Sequence, residues 1–109
     1  MDRLFIYGSL QPGGPNENVL AAISGKWAPA VIKGNLVERG WGASMGYPGL
    51  VVDETGNHVH GHVLSSLNLG AMWDYLDKFE GEEYERIVSS VTLLSGERVQ
   101  AHVYVLRTG

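Results

Sequence analysis

The sequence predicts an α+β fold, a small mixed β-barrel of about six short strands with one amphipathic helix and one shorter helix. Three observations lead there. Short apolar or alternating runs of strand length recur along the chain, separated by turn-forming residues. Glycine makes up 15 of 109 residues, about twice its ordinary ~7% share, while proline numbers only 4, a balance that fits tight turns rather than a low-complexity linker. One segment departs from the β pattern and carries helical spacing. A chain this small, with many short strands and few places to hide their edges, favours a strongly curved sheet that closes on itself. Its 109 residues suffice for one domain, 1–109, around one core, and are too few for two.

The elements follow in order. Leu4-Phe5-Ile6-Tyr7 is nearly all apolar, as a strand buried on both faces requires. It breaks into Gly8-Ser9-Leu10-Gln11-Pro12-Gly13-Gly14-Pro15, a run dense in turn formers. Asn16 is placed to cap a short helix with Glu17 in its first turn, Val19, Leu20 and Ile23 as its apolar stripe and Gly25 as its stop. Ala30 to Val37 reads as a strand, and Tyr47-Pro48-Gly49 as a turn feeding Leu50-Val51-Val52. Asp53-Glu54-Thr55-Gly56-Asn57 forms a hairpin-type turn, after which Val59, Gly61 and Val63 alternate with His58, His60 and His62 in a half-exposed strand. Leu69, Met72, Leu76 and Phe79 then recur at spacings of 3, 4 and 3, with Asn68, Asp74, Asp77 and Lys78 on the opposite side. This is an amphipathic helix of about three turns, ended by Gly81. Ile87 to Leu94 and Val99 to Leu106 read as two strands joined at Ser95-Gly96-Glu97. On the last, Val99, Ala101, Val103 and Val105 share one face, and Gln100, His102 and Tyr104 the other.

Composition removes several function classes. Eight Lys and Arg against twelve Asp and Glu give 8 − 12 = −4, whereas nucleic acid and anionic membranes require a basic footprint. Without cysteine there are no disulfides, thiolate metal sites or cysteine nucleophiles. The opening segment lacks the apolar run of a signal peptide, and no stretch approaches the ~20 apolar residues of a membrane span, so a cytoplasmic setting is expected.

Three groups of residues could carry chemistry. At Tyr7-Gly8-Ser9-Leu10 a glycine directly follows a buried strand, where it can take positive φ and let another molecule approach. Successive free N–H groups in such a loop can cradle an anion, although a plain turn explains the same residues. Ser9 has no Gly-x-Ser-x-Gly context and no assignable His and Asp, so it reads as a binding or turn residue and not a nucleophile. No phosphate-loop or dinucleotide glycine motif is present.

The second group is the run from Asp77 to Arg86. Glu80 falls in the last helical turn, where the helix end disfavours an acid, with Glu82, Glu83 and Glu85 close behind. The helix end, the like charges and any burial beside Phe79 would each raise its pKa. A carboxyl tuned upward suits a general base acting on an ammonium group near neutral pH, while the plain alternative is a solvated acidic loop balanced by Arg86. The third group is His58, His60 and His62, with His102 on a neighbouring strand. Alternating histidines can ligate zinc or iron, yet no carboxylate sits at a convincing offset and a solvent-facing strand accounts for them, so no metal is expected. Tyr7, Tyr47, Tyr84 and Tyr104 are placed to line a small polar pocket or to serve as core aromatics with a wet tip. Trp27, Trp41 and Trp73 are assigned to packing, with Gly40-Trp41-Gly42 a candidate flap.

Phe5-Ile6-Tyr7-Gly8-Ser9-Leu10, then Tyr47-Pro48-Gly49, then Leu76-Asp77-Lys78-Phe79-Glu80-Gly81 followed by Tyr84-x-Arg86 together resemble the γ-glutamylcyclotransferase-like superfamily. The match is nearest to its small bacterial and plant-type members, which include the γ-glutamylamine cyclotransferases, and it spans nearly the whole chain. The resemblance implies a closed or nearly closed barrel in which the loop after the first strand and the acid of the Phe-Glu-Gly motif meet in one cavity. It also implies that Glu80 is the catalytic base, that Gly8, Ser9 and Leu10 hold substrate through their N–H groups, and that Tyr84 and Tyr104 are pocket tyrosines. The implied reaction is an acyl transfer within a small γ-glutamyl compound, giving 5-oxoproline and a free amine without cofactor or metal. Two rivals stay open: a non-catalytic barrel binding a small amino- and carboxylate-bearing molecule, and an interaction domain whose acidic stretch docks a basic partner.

Overall fold

Alternation of side chains across a strand lets one barrel wall face two apolar compartments, and the molecule is organised by that sorting. The structure is a computed structural model that describes residues 2–8, 11–14, 17–21, 23–37 and 49–107. Six strands are present among them: β1 (Asp2–Ile6), β2 (Lys26–Val37), β3 (Gly49–Val52), β4 (Asn57–Ser66), β5 (Tyr84–Leu93) and β6 (Arg98–Leu106). A single helical turn, α1 (Asn18–Ala21), precedes β2. A 3-10 turn at Leu69–Met72 runs directly into α2 (Trp73–Glu80). None of the described helices is long and apolar enough to cross a membrane.

The sheet order is β3-β2-β4-β1-β6-β5, and pairing of β2 with β5 closes five of these strands into a barrel. Closure depends on β2 changing partner along one edge. Ala30 and Val31 pair with Leu93 and Thr92 of β5, whereas Gly34 to Val37 pair with β3. Its other edge is held by β4 from Lys26 to Gly34. β1 runs antiparallel to β4 and parallel to β6.

Inside the barrel lie Phe5, Ala30, Ile32, Val59, Val63, Val91, Ala101 and Val103 among others. Outside the wall, under the helices, lie Leu4, Ile6, Leu20, Leu64, Leu69, Leu76, Tyr84, Tyr104 and Leu106. β1 is thus buried on both faces, as its composition requires. Full burial of a leucine such as Leu76 is worth about 1.5–3 kcal/mol, which is what holds the short α2 in place.

Several boundaries differ from the local pattern. β2 starts at Lys26 rather than Ala30, because Lys26 pairs with Ser65. β5 starts at Tyr84 rather than Ile87, because Tyr84 pairs with Leu106. β4 continues to Ser66 through its pairing with β1. In each case a tertiary ladder extends a strand beyond the residues that advertise it. Asn16, the expected cap of α1, lies outside the described residues. Gly25 does not adopt the left-handed stop conformation; a Cβ there would meet the Ser65 carbonyl oxygen at 2.6 Å, so the chain needs glycine for close approach. Gly81 does end α2 as expected, at φ 88°, with its N–H donating to the Asp77 carbonyl at 3.1 Å.

Gly61 on β4 faces the barrel interior where β1 passes. A Cβ at this position would collide with the Ile6 carbonyl oxygen and come within 2.8 Å of the Phe5 ring. Gly61→Ala is therefore expected to destabilise the protein by ~1–3 kcal/mol, the scale of core overpacking. Gly8→Ala, whose Cβ would meet nothing within 4 Å among the described residues, should change stability by less than ~0.5 kcal/mol. Urea denaturation of the two variants checks the contrast.

Candidate active site

α2 delivers one carboxyl group to the rim of the barrel. Leu69 and Leu76 anchor the helical segment on the outer wall, Gly81 ends it, and Glu80 is its last residue. The side chain is half-buried, and burial raises its pKa from the ordinary 4.5 to about 7. Burial, one of the three causes anticipated for this acid, raises its pKa among the described residues.

Two phenols feel the Glu80 charge, Tyr7 at the end of β1 and Tyr104 on β6. Both are pushed above the ordinary tyrosine range, chiefly by their own burial. Tyr7 also senses the Tyr84 phenol, so Tyr7, Glu80, Tyr84 and Tyr104 form one electrostatic neighbourhood. The Tyr7 hydroxyl donates to the Tyr104 carbonyl at 2.8 Å and accepts from the Leu50 N–H at 3.0 Å. That single oxygen therefore ties β1 to β6 and β3; the hydrogen bond it accepts from the Leu50 N–H favours the phenolate, but burial outweighs it and keeps the phenol neutral. Tyr7 further lines a recess of about 420 Å³ with Gly34, Leu36, Asn57 and His60.

Gly8 follows Tyr7 without adopting positive φ; among the described residues Gly13, Gly81 and Gly96 do so. The reason to have glycine there is consequently not a left-handed turn. No atom of the described residues lies within 4 Å of where its Cβ would stand, which leaves room there for another molecule to approach the backbone. Ser9, Leu10 and Tyr47, together with the Gly40-Trp41-Gly42 segment, lie outside the described residues.

Tyr104 is buried beneath α2, and its hydroxyl donates to Asp77 Oδ1 at 2.6 Å. Asp77 is exposed on the helix face, as its spacing implies, and is also the acceptor for a forked contact from Arg86, with Nε at 2.9 Å from Oδ1 and Nη2 at 3.3 Å from Oδ2. These hydrogen bonds hold the Asp77 carboxyl below the usual carboxylate range. The Arg86 guanidinium also stacks over Trp73, 4.4 Å from the ring centre. Arg86 is thus no loop counter-ion: it stands on β5 and grips α2. The signal in the sequence was the acid in a last helical turn, nine residues before an arginine within one motif. A cleft of about 580 Å³ runs along this contact, bounded by Gly81, Tyr84, Arg86, Tyr104 and Arg107.

The histidines divide. His58 and His60 are exposed on β4, while the Nδ1 of His62 lies 2.9 Å from the Gln11 amide oxygen, with its ring edge-on to Trp27. His102 does not adjoin them, because β1 lies between β4 and β6; it packs against Trp73 with ring centres 4.5 Å apart. Among the described residues no group of three or more His, Cys, Asp or Glu is placed to hold a metal ion.

The profile of the family described as gamma-glutamyl cyclotransferase, AIG2-like, matches residues 4–109. The chain belongs to this family. An AIG2-like protein of Mus musculus, solved as a crystal structure, has 29% sequence identity and a TM-score of 0.76 over 100% of this chain and 79% of its own. An Arabidopsis thaliana protein solved in solution has 28% identity and a TM-score of 0.69, covering 96% of this chain and 68% of its own. A yeast gamma-glutamyl cyclotransferase described as specific to glutathione shares the fold, at 15% identity and a TM-score of 0.61 over 95% of this chain and 68% of its own. No functionally curated protein matches this AIG2-like chain in sequence.

A carboxyl whose pKa rises on folding favours the native state while it is protonated and opposes it once ionised. The effect is absent below pH 4.5 and grows as pH rises through 7, reaching up to about 3 kcal/mol. Glu80→Gln should accordingly be more stable than the parent protein at pH 8 by ~1–3 kcal/mol, with the gain disappearing near pH 4.5. Denaturant melts at the two pH values measure it.

Proposed function

We propose that this family member is an active γ-glutamyl cyclotransferase that closes a γ-glutamyl group into 5-oxoproline, with Glu80 as its general acid and base. The observation that carries this reading is the position of Glu80: a half-buried carboxyl with a pKa of about 7, in the electrostatic neighbourhood of Tyr7. A base must be ionised to accept a proton and must still hold that proton well enough to return it, and a pKa near the working pH serves both. The family to which the chain belongs supports the reaction class.

Atoms and charges balance within one substrate. The free α-amine attacks the γ-amide carbonyl carbon, so the ring C–N bond forms and the carbonyl oxygen takes on negative charge. Glu80 removes the proton that the amine sheds. Collapse of the tetrahedral intermediate breaks the amide C–N bond, and Glu80 returns the proton to the departing nitrogen. Nucleophile and electrophile are parts of one molecule, so the protein need only fold the chain and exclude competing geometries, where effective molarities are large.

N–H groups of Gly8, Ser9 and Leu10 would bind the substrate and stabilise the developing oxyanion, for which the open side of Gly8 leaves room. Tyr7, Tyr47 and Tyr84 would shape the cavity. Tyr104 contributes as a wall, since its hydroxyl is committed to Asp77. The substrate class is a small γ-glutamyl compound, and the leaving amine would emerge free.

The test is a mass-spectrometric search for 5-oxoproline released from a panel of γ-glutamyl amides whose leaving groups include amino acids, a lysine side chain and polyamines. Turnover of at least one is expected, with kcat/KM falling about tenfold per pH unit below ~7 as Glu80 protonates. Glu80→Gln should lower kcat by at least ~10²-fold in a folded protein. Near-normal turnover in that variant removes Glu80 from the role. Saturable binding heat with chemically unchanged ligand identifies the non-catalytic barrel instead.

A further inference from the structure

Glu80 stands between two fixed points of its own helix. Three residues earlier, the Asp77 carboxylate receives both arms of Arg86 and the Tyr104 hydroxyl. One residue later, the Gly81 N–H closes the helix on the Asp77 carbonyl. Arg86 reaches a second place on the same helix face, because Trp73 and Asp77 are one turn apart and its guanidinium stacks on one while forking onto the other. Behind it, Nη1 donates to His102 Nδ1 at 3.1 Å, and His102 in turn rests on Trp73.

We propose that Arg86 is a positioning residue for Glu80: by gripping Trp73 and Asp77 together it locks the last turn of α2 onto the β5–β6 hairpin and so holds the Glu80 carboxyl at its half-buried place beside Tyr7. Its bearing on catalysis rests on the function proposed above; its bearing on Glu80 does not. The Asp77 side chain is 44% exposed, and an ion pair so open to water adds little to global stability. Its geometric effect is larger. α2 has only eight residues, its final turn has no following helix to steady it, and an acid displaced by about 1 Å from reacting atoms loses of the order of 10² in rate. Arginine is needed because only a planar fork can meet a carboxylate bidentately and stack on an indole at once.

The discriminating variants are Arg86→Met and Arg86→Lys, each checked for native fold by circular dichroism. Titration of the Glu80 carboxyl carbon by NMR, assigned with Glu80→Gln, reads position without requiring activity. Among the described residues, the groups facing that titration include Tyr7 beside β1, Tyr104 of β6 and Tyr84 of β5, with Asp77 on α2 and His102 of β6 around Arg86 itself. Removing a cation by its field alone would raise the pKa of Glu80, whereas loosening the turn would hydrate the carboxyl and lower it. A fall of about one pH unit toward 4.5 is expected in Arg86→Met. A smaller fall is expected in Arg86→Lys, which keeps the charge and loses the fork. In an active protein, kcat should drop about tenfold in Arg86→Met with KM changed by less than about threefold, and the acid limb of kcat/KM should move with the Glu80 titration. A rise in the Glu80 pKa, or an unmoved one in a folded variant, overturns the proposal. Absence of 5-oxoproline with the expected titration shift leaves the clamp standing and removes the enzymatic reading. If Arg86→Met does not fold, Arg86→Lys alone decides, since its field is that of the parent.

Discussion

Everything at the rim depends on the seating of α2 against the outside of the barrel wall. Leu69 and Leu76 are removed from water there, against Leu4, Ile6 and Leu64, and this contact is non-directional and strong relative to its size. Once the helix is seated, its last residue has no choice of surroundings. Glu80 stands at the negative end of a helix and away from bulk water, two conditions that a carboxylate resists. A hydrophobic contact thus produces an electrostatic condition, and the electrostatic condition makes the acid useful near neutral pH.

Two opposed demands meet in the last turn of α2. Holding an ionisable acid where ionisation is disfavoured destabilises the folded state at neutral pH, so that turn would gain by opening. The Asp77–Arg86–Tyr104 contacts oppose that opening, and they do so from β5 and β6, not from the helix itself. Strain retained at one residue and restrained by its neighbours is a common arrangement at functional sites. It explains why the Leu-Asp-x-Phe-Glu-Gly-x-x-Tyr-x-Arg pattern reads as a unit. Its leucine seats the helix, its glycine ends it, and its aspartate and arginine join it to the hairpin around Glu80.

Much of this was legible in the residues, and the remainder was hidden for definite reasons. β1 declared itself by an unbroken apolar run, and the helical segment by its 3, 4, 3 spacing, because each records burial that is local in sequence. The starts of β2 at Lys26 and β5 at Tyr84 were not legible, since they are set by partners 39 and 22 residues away in the ladder, Ser65 and Leu106. Alternation assigned Tyr104 to the outer face correctly, yet could not say that a helix covers that face. His102 was grouped with His58, His60 and His62 because a lone strand pattern carries no sheet order, and β1 separates them. Glu80 stood out because an acid is unusual in a final turn; the grip of Arg86 on Asp77 did not, because it depends on how β5 packs against α2.

The topology itself explains why the residues of interest converge. β1 is parallel to β6, so the C-terminal ends of both, Tyr7–Gly8 and Tyr104–Leu106, reach the same rim. β5 is antiparallel to β6 and therefore begins there, at Tyr84 opposite Leu106. α2 leads into β5 through a short turn and must end at that rim with Glu80. β2, antiparallel to β4 as β1 is, also finishes at this end, and β3 starts from it at Gly49, whose Cα lies against Leu106. A single parallel pairing in an otherwise antiparallel barrel is thus enough to gather the first strand's exit, the helix's end and two tyrosines into one neighbourhood. A chain with the same residues and β1 reversed would send Tyr7 and Gly8 to the opposite rim, and no tuning of Glu80 could bring them back.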